Sequence, residues 1–281
     1  MVFNPIDIVV FLGFVAAVIT IGLWKSRHEK TSEDYFLAGR GLKWWLIGFS
    51  LIAANISSEQ LVGMSGNAAS HVGLAIASYE WMAAITLVVV AFAFLPYFLR
   101  AGIYTMPEFL EYRYNAASRT IMAVATLLIY MVLLGSVTYS GALTVNTMAG
   151  KMGYDVSIAT ASLAIGIIAM VYVTAGGLKA CAWADLIQGS ALILGGAIVM
   201  LFAFKKLGAT TDELAFVENV KTGAVGLKNF TQDTGTIYRF LELNKVRMNM
   251  FLPKDDKVVP WTALLLGLWI PNFYYWGLNQ Y

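Results

Sequence analysis

Asn55, Ser57, Ser58, Glu59 and Gln60 lie almost side by side within a stretch otherwise apolar enough to span a membrane. A charged side chain at the bilayer centre costs about 2.5 to 3.5 kcal/mol on insertion scales, and such residues face a cavity or a partner. An unbroken helix would present these five on several faces at once, so local unwinding is expected. Half-helix ends and released carbonyls near the midplane hold ions and polar solutes. The competing reading is an intact helix whose Asn and Ser bond to neighbouring helices. A second stretch, from Trp269 to Gln280, sets Pro271, Asn272, Gly277, Asn279 and Gln280 into an apolar window. Pro271 removes a backbone donor and Gly277 relaxes the chain, so a second interruption is expected there, against a simple proline kink. Glu80, in Ala77-Ser-Tyr-Glu-Trp81, is a further acid in an apolar window. Its carboxylate is a strong acceptor for ligand hydroxyls, or a structural group bonded to a neighbouring helix.

These residues need membrane helices to position them. Hydrophobic residues make up 59% of the chain and charged ones 13%, with a mean hydropathy of +0.68, the balance of a polytopic membrane protein. Apolar windows of about 20 residues, the length that crosses a hydrocarbon core, fall at 5–24, 42–66, 73–99, 119–147, 157–175, 183–204 and 260–281. The alternating signature of an outer-membrane barrel is absent, so an all-α fold of about seven helices is expected. The first window has no basic residues ahead of it and no small-x-small cleavage pattern, and reads as a retained helix. A net charge of +2 gives no support to nucleic-acid binding, and the lone Cys181 excludes an internal disulfide.

Trp24, Trp44, Trp45 and Trp261 mark window ends, where amphipathic rings prefer the headgroup region. With the N-terminus outside, basic residues concentrate in inner loops at 25–43, 100–119 and 176–182. The segment 205–259 then lies outside. Within it, Thr210 to Val217 reads as the start of a capped surface helix with a Leu214, Val217 and Val220 stripe, a packing lid.

The windows at 42–66 and 260–281 are separated by four others, so each opens a five-helix repeat, the arrangement of an inverted-repeat transporter. The expected organisation is an extra helix and inner loop at 1–41, a first repeat at 42–204, a long outer loop with short helices at 205–259, and the first, interrupted helix of a truncated second repeat at 260–281.

Ser32-Glu-Asp-Tyr-Phe-Leu-Ala-Gly39, Ser50 to Gln60, Gly73 to Met82, Tyr104-Thr-Met-Pro-Glu-Phe109 and Asn272 to Tyr281 carry a resemblance that spans nearly the whole chain. The chain resembles the N-terminal portion of the sodium/solute symporter family, and within it the sodium/galactose and sodium/glucose symporters. The resemblance implies a leucine-transporter-like fold of two inverted repeats after an extra helix. It implies that Gln60, Glu80 and Asn272 contact sugar hydroxyls, and that Tyr275 stacks on the pyranose and closes an inner gate with Asn55 and Trp276. It also implies Met64 and Tyr79 at an outer gate, Ala53 and Ile56 as sodium-binding carbonyls, and Asp185 on the sodium exit route. Sodium, a hard cation, suits carbonyl oxygens. An aromatic ring with Gln, Glu and Asn suits a sugar's apolar face and hydroxyl rim. Two departures leave the solute open: Ala83 replaces a serine sugar contact, and the 65–72 loop is one residue longer.

An enzyme reading exists, because Gly63-Met-Ser-Gly66 matches the Gly-x-Ser-Gly of rhomboid proteases. A nucleophilic serine needs a base within reach, and His28 and His71 are poorly placed for it. Other rivals are a sensor or channel, or sodium symport of a polyol, sugar acid, amino acid or carboxylate. An anionic solute would be repelled by Glu80. The expectation is therefore a non-enzymatic, multi-pass protein of the cell membrane, such as a bacterial inner membrane, moving sodium with a hexose and using no organic cofactor.

Overall fold

The computed structural model describes residues 5–28, 31–56, 59–103, 105–219 and 223–278. Ser57, Ser58, Tyr104, Val220, Asn279, Gln280, Tyr281 and the Glu59 side chain, on which parts of the sequence reading rest, lie outside the described residues.

The long elements are α1 (Pro5–Ser26), α2 (Ser32–Leu37), α3 (Trp44–Asn55), α4 (Ser65–Ala69), α5 (Ser78–Val89), α6 (Leu95–Ala101), α7 (Met106–Arg113), α8 (Ala116–Lys151) and α9 (Ile158–Ala209). A hairpin of β1 (Leu214–Asn219) and β2 (Ala224–Lys228) follows, then α10 (Thr236–Asn244) and α11 (Trp269–Gly277). Four stretches are long and apolar enough to cross a membrane: Ile6–Ser26, Gly73–Ala101, Ala116–Lys151 and Ile158–Ala209. The described residues divide into two compact units, 1–61 with 126–196, and 62–125 with 197–281.

In the first unit, small residues let helices approach. A Cβ on Gly22 would stand 3.0 Å from the Ala180 carbonyl, and one on Gly176 would stand 3.0 Å from Leu23. The expected inner loop at 176–182 is instead a kink within α9, because Gly177 adopts φ 58°, ψ −165°, a backbone suited to glycine alone. The kink interrupts the helical ladder, and the Tyr35 hydroxyl donates to the carbonyls of Val173 (3.1 Å) and Thr174 (3.3 Å), one turn before it. Buried Ala180, Ala182 and Ala184 continue the packed face beyond it.

In the second unit, a small core of Val72, Ala75, Leu252 and Val259 ties the start of the α5 region to the loop before α11. Gly73 has φ +57°, and the N–H of the next residue, Leu74, donates to the Arg247 carbonyl at 2.7 Å. Arg247 returns a bond from Nη1 to the Ala69 carbonyl, and burial lowers its pKa from the ordinary value.

The expected surface helix at 210–217 is not formed. Leu214–Asn219 pairs antiparallel with Ala224–Lys228, and Phe216 lies over Gly226, where a Cβ would come within 2.8 Å of the ring. Thr210 closes the preceding helix rather than opening a new one, its N–H and Oγ1 both donating to the Lys206 carbonyl. The interruption expected around Pro271 and Gly277 is also displaced. Residues 269–277 are regular helix, and the irregular turn is a π-helical one at Ala263–Gly267. Proline obstructs the carbonyl four residues before it, which is Gly267, so the distortion is relieved on that side. Gly277 serves close approach, its Cβ position being 3.3 Å from Val90.

Asp256 clamps the loop before α11. Its Oδ1 accepts from the N–H groups of Val258 (2.8 Å) and Val259 (3.0 Å), and its Oδ2 pairs with His71 Nε2 at 3.1 Å. Burial raises the carboxyl pKa, but these hydrogen bonds outweigh it and hold the value below the ordinary 3.8. A pKa lower in the folded than in the unfolded chain adds stability above the unfolded value, which is lost as pH falls through the folded one. The thermal midpoint of the wild type should therefore exceed that of Asp256→Asn at about pH 6, and the gap should close towards about pH 3. A gap that does not change with pH would rule out the carboxylate as the source.

Candidate functional site

In the first unit the site is built on the end of α3. The backbone leaves helical geometry at Ile56 (φ −96°, ψ 104°), whose N–H makes the last helical bond, to Ile52 at 3.1 Å. Ala53 and Asn55 thus sit in the final turn, where carbonyls project along the axis and carry the negative end of the helix dipole. The next described residues, Glu59–Met64, form a π-helical turn holding Gln60 and Met64, both half-buried. The break expected near Ser57 is thus bracketed by the end of one helix and the start of another.

The structure brings Ala53 and Asp185 onto one helix pair. Ser50 Oγ donates to Asp185 Oδ2 at 2.5 Å, and one turn along, a Cβ on Gly189 would meet Ala53 Cβ at 3.4 Å and the Phe49 carbonyl at 3.3 Å. Asp185 is therefore held against α3 within a few residues of the helix end. Neither Ser50 nor Gly189 was singled out from sequence, because the signal is the juxtaposition of α3 with α9, Ser50 meeting Asp185 across 135 positions. At one end of this unit Lys25 Nζ lies 5.0 Å from the Trp24 ring and 4.7 Å from that of Trp183, which meets Trp45 edge-on at 6.1 Å.

In the second unit α5 packs on α11. The buried stripe of α5 is Ser78, Met82, Ala83 and Thr86. Tyr79 and Glu80 lie outside that stripe and are exposed. On α11, Asn272 is buried, with Nδ2 donating to the Leu268 carbonyl at 2.8 Å. That bond engages one of the two amide N–H groups with the residue that precedes α11, and leaves Oδ1 as the acceptor end. Tyr275 and Trp276 are half-buried and meet edge-on, with centroids 4.9 Å apart. Phe273 packs edge-on against Phe94 at 6.2 Å and fixes α11 against the turn that follows α5. Two hydroxyls missed by the sequence reading, Ser78 Oγ and Tyr274 OH, are buried without a hydrogen-bond partner in this structure.

The arrangement supplies oxygen acceptors, carboxamides and aromatic edges. Among the described residues no group of three or more His, Cys, Asp or Glu could hold a metal ion. A sodium ion taken by backbone carbonyls needs no such group. His71, a possible base for Ser65, is bonded to Asp256.

The chain is similar to a sodium/glucose cotransporter of Vibrio parahaemolyticus, at 44% identity over 98% of the chain and 48% of that protein. It is also similar to an uncharacterized symporter of Escherichia coli (34%; 99% and 46%) and to sodium/glucose cotransporter 2 of Rattus norvegicus (31%; 99% and 41%). The chain thus spans about half the length of these relatives. A solved sodium-coupled sialic acid symporter, in a substrate-bound outward-open state, superposes with a TM-score of 0.74 at 22% identity, over 99% of this chain and 52% of that one. That likeness establishes a leucine-transporter-like fold, mostly helical rather than all-α as expected, since the β1–β2 hairpin interrupts the helices. Residues 35–272 match the sodium:solute symporter family, and the chain belongs to that family.

Proposed function

We propose that the complete protein is a symporter that couples inward movement of sodium to uptake of a neutral hexose of the galactose or glucose kind, by alternating access. The observation that carries the sugar reading is α11, which offers a buried carboxamide acceptor at Asn272 and an aromatic pair at Tyr275 and Trp276, and packs on the helix that holds Glu80. A pyranose combines an apolar face with a rim of hydroxyls, and this set of groups is complementary to both. The similarity to sodium/glucose cotransporters supports the same class.

In this reading the carbonyls of Ala53 and Ile56 take sodium, Asp185 lies on its exit route, Asn55 belongs to the inner gate, and Gln60 contacts a hydroxyl. In the second unit Glu80 and Asn272 contact hydroxyls, Tyr275 stacks on the ring and gates with Trp276, and Met64 and Tyr79 belong to the outer gate. The chain is organised as an extra helix, a first repeat at 42–204, an outer segment at 205–259 and the opening of a second repeat from 260. It sits in the cell membrane with its N-terminus outside.

The complete protein, expressed in transport-deficient cells, should accumulate radiolabelled hexose only with an inward-directed sodium gradient. Uptake that persists when choline replaces sodium would exclude symport, and failure of every hexose to compete would exclude the sugar. A second reading, symport of a sugar acid, polyol, amino acid or carboxylate, draws on buried Ala83, which offers a methyl group where the resemblance implies a serine hydroxyl. Competition by one of those solutes in place of hexose would select it.

A further inference from the structure

An open depression of about 600 Å³ lies within the second unit, lined by residues of the hairpin and of the segment before α11. Its polar groups are Glu218, Asn219 and Asn249, and its apolar walls include Phe251, Leu252 and Trp261. None of the described lining residues is basic.

Glu218, Asn219 and Asn249 are exposed at its surface, and two features shape it. Glu218 is the extra residue of a β-bulge: Val217 pairs with Val225 and Asn219 with Ala224, leaving Glu218 unpaired in the ladder. Bulges re-aim a side chain, and this one lines the depression. The opposite wall is fixed rather than loose. Leu252 is 2% exposed within the small core, the Trp261 N–H donates to its carbonyl at 3.2 Å, and Asp256 clamps the intervening turn. Yet Phe251 and Trp261 remain 60% and 41% exposed, rings held in place but available.

We infer that this depression binds a neutral polyhydroxylated solute, a pyranose, independently of sodium and apart from the transport site. The Glu218 carboxylate accepts hydrogen bonds from hydroxyls, and Asn249, whose Oδ1 accepts the Phe251 N–H at 3.0 Å, presents its Nδ2 as a donor to ring or hydroxyl oxygens. The Trp261 and Phe251 faces take the C–H side of the ring. An anion meets Glu218, and none of the described lining residues supplies a compensating cation. An organic cation would want a closed aromatic cage, and two rings beside two carboxamides do not make one. The volume lies within the range of small-molecule sites. This inference does not rest on the transport reading.

The test titrates the full chain in detergent, in potassium buffer without sodium, with D-galactose and D-glucose, by calorimetry and saturation-transfer NMR. Saturable binding is expected. Glu218→Gln, which keeps shape and removes charge, should weaken it about tenfold or more, as expected for loss of a charged hydrogen bond. Trp261→Ala should abolish saturation, and Trp261→Phe should retain it. Gln60→Ala should bind as the wild type does. Absence of saturable sodium-free binding, wild-type affinity in Glu218→Gln, displacement by choline but not by hexoses, or loss of binding in Gln60→Ala would each overturn the inference. Loss in Gln60→Ala would assign the sugar to the transport site instead.

Discussion

Arg239→Ala is expected to destabilise the second unit by about 3 kcal/mol or more, read as a lower thermal unfolding midpoint in detergent. The side chain is fully buried and donates to four carbonyls: Thr231 (2.7 Å), Thr234 (3.0 Å), Leu207 (3.0 Å) and Thr210 (2.6 Å). Leu207 lies in the last turn of α9 and Thr210 just past it, so the guanidinium both satisfies carbonyls at the helix end and meets the negative end of the dipole. The Thr231 carbonyl keeps the Thr234 N–H as a donor at 3.0 Å, but each carbonyl left buried without one costs about 1 to 3 kcal/mol, and the vacated volume adds to that. The same side chain joins the turn at 231–234, so α9, that turn and α10 lose a common anchor together. Arg239→Lys should fall between, because an ammonium is a point charge and cannot reproduce the fork of five donors. A midpoint for Arg239→Ala within roughly 1 °C of wild type would show that the four bonds contribute nothing net.

Arg239 also marks where sequence reading stops. It stands in a mixed-charge segment and reads as a solvated loop cation, since nothing local points to carbonyls up to 32 positions away. The hairpin was illegible for a related reason. Leu214 and Val217 are spaced as a helical stripe, and only pairing with a strand that contains Gly226, under Phe216, decides for β. The kink at Gly177 was read as a loop because Gly176, Gly177 and Lys179 together look like a break. Small buried residues on both sides let the helix resume at once.

What could be read was whatever depends on solvent. Four long described stretches fall on five of the seven apolar windows, Ile158–Ala209 joining two of them, while the windows at 42–66 and 260–281 hold shorter helices. The polar cluster at 55–60 marked the region where α3 ends. Residue type singled out Asn272 and Glu80 because a polar group in lipid must be used, and the family resemblance pointed to Asp185. Type could not show that Asn272 is buried while Glu80 is exposed, or that Ser50 holds Asp185. Those facts belong to packing, which periodicity does not encode.

The largest functional effect is expected at α11. Asn272→Ala in the complete protein should raise the KM for hexose by about tenfold to a hundredfold, the cost of losing a buried hydrogen bond that recognises a ligand hydroxyl. The substitution is informative because it removes little else. The Leu268 carbonyl that Nδ2 occupies also accepts the backbone N–H of residue 272 at 3.2 Å, so it keeps a donor when the side chain is gone. Stability should therefore change far less than affinity, a split that a purely structural asparagine would not give. Tyr275→Phe should retain most uptake, because stacking needs the ring alone, whereas Tyr275→Ala should lose it. If Asn272→Ala kept wild-type KM and instead lowered the thermal midpoint, Asn272 would be a helix-packing residue, and the hydroxyl-binding role would have to move to other acceptors near α11. The unpartnered Ser78 Oγ and Tyr274 OH would be the first to test, since a buried hydroxyl without a partner is itself a cost that a bound solute could offset.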